Sequence, residues 1–204
     1  MKWFAHTRRW IQAASGATAL CLLLSLCGLY GQCQGVRDNV VRLHVLANSD
    51  SDEDQALKLK VRDAMVEDTA GWLDTAANAE EALALAQAAL PRLQAVARRT
   101  VAAEGYTYPV AVELCETYFT TRQYDTVTLP AGIYPAVRVS IGAAEGKNWW
   151  CVVYPPLCAG AAADRRQLAD VLSDPQQHLV ENGGRYVVKF KVVEWFEGLV
   201  NYFR

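Results

Sequence analysis

Histidine is scarce in this sequence. Three occur in 204 residues, and His6 precedes the one long uncharged run, leaving His44 and His178 as candidates for chemistry in the rest of the chain. No H-E-x-x-H, G-x-S-x-G, P-loop or dinucleotide-binding glycine pattern is present. A metal site would have to recruit scattered carboxylates, so neither a metal nor a cofactor is expected, and no small-molecule substrate either. Basic charge is also in short supply. From residue 36 onward, 17 basic side chains face 22 acidic ones with no basic stripe, which argues against nucleic acid as a partner. Internal repeats and low-complexity tracts are missing as well.

What the chain does have, at its start, is Lys2, Arg8 and Arg9 followed by the uncharged residues 11–30. That is the layout of a charged segment ahead of an apolar one. The run reaches the roughly 20 residues a helix needs to cross the hydrocarbon, whereas the core of a cleaved signal peptide is nearer 7–15. No A-x-A site follows. The run is therefore a signal peptide or a membrane anchor; its length favours the anchor, and cleavage near residues 31–35 stays open. The positive flank remains in the cytoplasm, so the rest of the chain is expected outside it, secreted or anchored. Residues 1–35 form this leader. Residues 36–204 can bury one good core and are expected to form a single extracytoplasmic domain.

Residues 40–46 alternate as a half-buried strand, with Val41, Leu43 and Val45 on one side and Arg42 and His44 on the other. The strand stops at Asn48, Ser49 and Asp50. Ser51, followed by Asp52, Glu53 and Asp54, gives a cap and an acidic first turn for a helix over residues 52–69. Leu57, Val61, Ala64 and Met65 form its core stripe. Its other side carries Gln55, Leu59, Arg62 and Val66, a mixture unusual for a plainly solvated face. A second, alanine-rich helix opens at residues 78–81, and Pro91 is expected to end it or to begin a third. Strands are expected around residues 106–114, 137–141 and 149–154. Residues 159–184 look like a loop with a short helix around 165–172. Tyr186, Val188, Phe190 and Val192 alternate as a last strand, and Trp195, Phe196, Leu199, Val200 and Phe203 recur at helical spacing. The expected class is α+β, with a mixed or antiparallel sheet and helices packed on it. The terminal helix is expected to dock on the domain rather than lie on a membrane, because its polar side carries few basic residues.

Of six cysteines, only Cys151 and Cys158 lie close together with a turn between them, at Pro155 and Pro156. In an oxidising compartment they read as a local disulfide, which the chain-entropy model values at about 2.5 kcal/mol; two reduced buried thiols are the alternative. A Cys–His hydrolase could be assembled on paper from Cys115 or Cys151 with His44 or His178. Exported thiols tend to oxidise, however, and an acidic first turn needs no catalytic explanation. No enzyme is expected.

Three stretches go beyond composition: Arg42-Leu43-His44-Val45-Leu46-Ala47-Asn48-Ser49-Asp50-Ser51, then Asp54-Gln55-Ala56-Leu57-Lys58 through Arg62-Asp63, and Asn148-Trp149-Trp150-Cys151-Val152-Val153-Tyr154-Pro155-Pro156-Leu157-Cys158. Together they resemble the stage II sporulation protein R family of endospore-forming bacteria. The resemblance implies a protein made in the forespore and exported into the space between the two septal membranes. There it would trigger a membrane-embedded aspartic protease of the mother cell, which then matures a sigma-factor precursor. In that scheme the chain is an intercellular signal with no active site of its own. The competing class is a membrane-tethered envelope scaffold that switches no protease.

Two surfaces are candidates for contact with the protease. One is the turn Asn48, Ser49 and Asp50 with the helix face Gln55, Leu59, Arg62 and Val66; capping and a covering layer would explain the same residues structurally. The other is Trp149 and Trp150, whose rings suit hot-spot anchors. Tryptophan in a central strand is more often core, so at most one should point outward.

Overall fold

The computed structural model describes residues 2–124, 127–156 and 171–202. Helix α1 (Lys2–Asp38) leads into strand β1 (Val41–Leu46), then α2 (Asp52–Ala70) and α3 (Ala79–Ala103). Strands β2 (Val110–Phe119), β3 (Arg122–Tyr124), β4 (Val127–Leu129), β5 (Gly132–Ile141) and β6 (Asn148–Tyr154) follow, then α4 (Asp174–Glu181) and α5 (Val187–Tyr202). The class is α+β. The main sheet has the order β2-β5-β1-β6; β1 runs parallel to β5, and the two outer pairings are antiparallel. Strands β3 and β4 form a separate hairpin.

Period-two alternation sends the side chains of each strand to opposite faces. On one face Val41, Leu43, Val45, Val137, Val139, Ile141, Cys151 and Val153 pack against Leu57, Val61 and Met65 of α2 and Leu93, Val96, Ala97 and Val101 of α3. Each such aliphatic side chain contributes about 1.5–3 kcal/mol when fully buried. The other face is covered too, contrary to the half-buried strand expected for residues 40–46. Arg42 and His44 are buried there, beside Phe119, Tyr134, Ala136, Trp150 and Val152 and beneath the β3–β4 hairpin. Here β1 is covered on both faces, and alternation alone cannot tell a wet face from a polar buried one.

Three further expectations are corrected. Pro91 neither ends nor begins a helix but lies inside the 25-residue α3. It is exposed, while Ala82 and Ala86 before it and Leu93 and Ala97 after it are buried along one continuous stripe, so packing holds both halves in line despite the lost hydrogen bond. The strand expected at residues 186–192 is the start of α5, in which Phe190, Val193 and Glu197 are buried at i, i+3 and i+7. Seven residues with apolar groups at alternate positions are too few to separate the two periods, and here the helical one wins because it extends over 16 residues. Within the expected loop, α4 forms, with Ser173 N–H donating to Gln176 Oε1 at 3.0 Å and Pro175 in the first turn. The short helix expected at 165–172 lies mostly outside the described residues.

Helix α1 changes character along its length. Leu20, Leu22, Leu23 and Leu24 are exposed, whereas Leu29, Cys33, Val36 and Arg37 are buried against the domain. From Gln12 to Asp38 it is long and apolar enough to cross a membrane, which is compatible with a signal sequence or an anchor. Its last turns pack with Leu179 of α4 and Phe190 and Val193 of α5. Arg37 Nη1 donates to Glu197 Oε1 at 2.7 Å and to the Ala131 carbonyl at 2.8 Å. Gly132, at φ +149°, makes room for this guanidinium, because a Cβ there would collide with it.

Candidate functional site

The turn between β1 and α2 is built on one buried carboxylate. Asp54 sits in the first turn of α2, where Ser51 caps the helix by accepting from Asp54 N–H. Asn48 Nδ2 donates to Asp54 Oδ2 at 2.8 Å and Ser49 Oγ at 2.6 Å. Burial by itself pushes the Asp54 carboxyl up, but hydrogen bonds from Ser49, Asn48 and Tyr108 outweigh it and hold the group below its usual range. The turn is also tied to the β5–β6 connection. Ala143 N–H donates to Asn48 Oδ1 at 2.9 Å, and Lys147 N–H to Asp50 Oδ1 at 2.7 Å. Gly142, at φ +61°, is needed there because a Cβ would run into the Asn48 side chain. Asn48, Ser49 and Asp50 all take part in folding the turn, with Asp50 exposed and the other two half-buried.

Lys58, one turn further along α2, is also buried, and its ammonium donates to the Lys147 carbonyl at 2.9 Å. Burial, reinforced by Lys147 and Arg62, lowers its pKa against the pull of Asp50. Gln55 Nε2 donates to the Ser49 carbonyl at 2.8 Å.

Leu59, Arg62 and Val66 lie half-exposed on the same helix. The Arg62 guanidinium stacks over the Trp149 ring at 4.3 Å and pairs with Asp63 at 2.6 Å. The two surfaces suggested by the sequence therefore meet: Trp149, on β6, joins the α2 face through Arg62. Trp150 goes the other way. It packs edge-on to Phe119 and His44, beneath Arg122 at 4.6 Å. Both indoles are half-buried, and neither ring N–H has a hydrogen-bond partner among the described residues.

The histidine and cysteine side chains on which a hydrolase could draw each have other neighbours. His44 Nε2 lies 2.8 Å from Asn148 Oδ1, and burial lowers the imidazole pKa, with the charges of Arg138 and Arg42 adding to the effect. His178 is exposed on α4 against Tyr186. Cys115 Sγ lies 3.3 Å from Thr117 Oγ1, on a strand at the opposite end of the sheet order from Cys151. No group of three or more His, Cys, Asp or Glu side chains that could hold a metal ion occurs among the described residues. Cys158 lies outside the described residues.

Several groups that matter here were not singled out from the sequence. Asp54 reads there as one of three acids in a first turn, and nothing local marks Lys58 as buried. Arg37 and Glu197 are 160 positions apart, and nothing local marks them as a pair. Arg42 gave no sign that its guanidinium would lie 3.9 Å from the Phe119 ring centre and 4.9 Å from that of Tyr134.

The architecture is that of an α+β domain carried on an apolar N-terminal helix, with its hydrogen-bonded β1–α2 turn beside a tryptophan-bearing strand at one end of the sheet. The family model for stage II sporulation protein R matches residues 37–164. The chain is also 34% identical to "Stage II sporulation protein R" of Bacillus subtilis (strain 168) over 185 residues, covering 80% of this chain and 83% of that protein. It belongs to the stage II sporulation protein R family, and its role lies in sporulation. No solved structure matches it.

Proposed function

We propose that this chain is an exported sporulation signal: made in the forespore, held outside the cytoplasm on α1, and recognised by a membrane-embedded aspartic protease of the mother cell that then processes a sigma-factor precursor. The observation that carries the reading is the joined surface of Leu59, Arg62, Val66 and Trp149, a half-exposed apolar and cationic patch fixed on rigid elements. A ring that is already ordered under a guanidinium costs little further entropy to bind, as hot-spot anchors require. The chain acts as a ligand, without an active site of its own.

The test is reconstitution. Expressing the full chain together with such a protease and its precursor should convert the precursor to its shorter form, and leaving the chain out should abolish conversion. Conversion that proceeds equally well without the chain would leave the envelope scaffold as the better reading.

An extracytoplasmic location goes with a bond between Cys151 and Cys158. Cys151 is buried in β6, with Pro155 and Pro156 turning the chain shortly after it, while Cys21, Cys27, Cys33 and Cys115 are free thiols. Mass spectrometry of the non-reduced, alkylated protein should recover the two peptides linked. Alkylation of both thiols in rapidly quenched native material would disprove the bond.

A further inference from the structure

Helix α5 has two apolar sides, and the domain covers one of them. Phe190, Val193 and Glu197 face inward, onto the end of α1 and its neighbours. Val192, Trp195, Phe196, Leu199 and Tyr202 recur at i, i+3, i+4, i+7 and i+10 and stay in the open, with Trp195 73% and Tyr202 82% exposed. A helix apolar on nearly opposite sides needs an apolar neighbour on each. The described residues supply one. This helix also lies outside the stretch that matches the family model.

What covers the second side follows from where it begins. The Phe196 ring packs edge-on against Tyr30 with centroids 5.7 Å apart. Tyr30 stands where α1 passes from its exposed leucines to the buried Leu29 and Cys33, just before the more polar residues 31–35. The exposed side of α5 is therefore continuous with the segment read above as a membrane anchor, at the level where that segment would leave the bilayer. Tryptophan and tyrosine at such a level match the aromatic belts of membrane–water interfaces. Few basic residues mark α5, so the surface suits the apolar–polar boundary of a zwitterionic lipid layer more than an anionic one.

We infer that the Val192, Trp195, Phe196, Leu199 and Tyr202 side of α5 lies in the interfacial layer of the membrane that α1 enters, a second contact that fixes how the domain stands on the bilayer. This rests on the anchor reading of α1. A domain held at both α1 and α5 would present its β1–α2 side in a set orientation instead of swinging about one stem.

The full chain, reconstituted in phosphatidylcholine vesicles, tests it through tryptophan fluorescence with and without brominated phosphatidylcholine. Subtracting the Trp195→Phe spectrum from that of the parent chain isolates Trp195, and the same subtraction with Trp10→Phe isolates a residue at the start of the anchor run. The inference expects the Trp195 emission to be blue-shifted and largely quenched by the brominated lipid, as the Trp10 emission is. Trp10 quenched with Trp195 unquenched and emitting as in water would overturn the inference while leaving the anchor standing. Neither quenched would overturn both.

Discussion

Replacing Leu59 and Arg62 together by alanine is expected to lower processing of the sigma-factor precursor about tenfold or more at limiting amounts of the chain, with little change in its thermal midpoint. Truncating a hot-spot side chain typically costs more than 1 kcal/mol of binding, and about 1.4 kcal/mol is tenfold in affinity. Both residues are half-exposed, so the packing lost from the domain is well below the roughly 2–5 kcal/mol of a fully buried leucine. Arg62→Lys should keep the charge yet lose most of the effect on Trp149, since an ammonium cannot stack on the ring as the planar guanidinium does at 4.3 Å. Full processing by the double variant at normal stability would remove this surface from the contact. A collapse of the midpoint instead would show that the face serves the core.

Glu197→Ala is expected to have the largest effect on stability, a loss of about 3–5 kcal/mol in denaturant unfolding, because it strands Arg37 as an uncompensated buried charge. The two side chains are 2% and 6% exposed and 2.7 Å apart. Replacing both at once, Arg37→Met with Glu197→Leu, should restore most of the loss, since a buried ion pair often gives way to apolar residues of similar volume without penalty. A single variant that loses under about 1 kcal/mol would show that solvent reaches the pair. The same pair joins the end of α1 to α5. Removal of the chain up to Arg37 would leave Glu197 unpaired and strip Leu29, Cys33 and Val36 from the core.

Much of the architecture was legible in the residues. The strand at residues 41–46, the Ser51 cap with its acidic turn, and the stripe Leu57, Val61 and Met65 each have a local cause, and each is found where its pattern places it. Local rules give way where they meet a longer-range force. The apolar stripe of α3 overrode Pro91, and a stretch with strand-like alternation became the first turns of α5 once its partner, the buried end of α1, was in place. The hairpin of β3 and β4 leaves no mark in the sequence, because three-residue strands carry no measurable period. At the candidate site, the sequence offered the α2 face and the tryptophan pair as separate surfaces. Their union at Arg62 and Trp149 depends on β6 pairing with β1, between residues about a hundred positions apart.

By itself the sequence determined the apolar N-terminal helix, the α+β class, the capped α2 and the family, because each rests on neighbours within a few turns of chain or on motifs that survive as strings. Only the tertiary structure decided that Arg42 and His44 are buried, that Asn48, Ser49 and Asp54 close one hydrogen-bond network with the β5–β6 connection, and that Arg37 meets Glu197. Polarity shows that a side chain needs partners, but which partner it gets, and whether water or protein supplies it, is set by contacts between segments far apart in the chain.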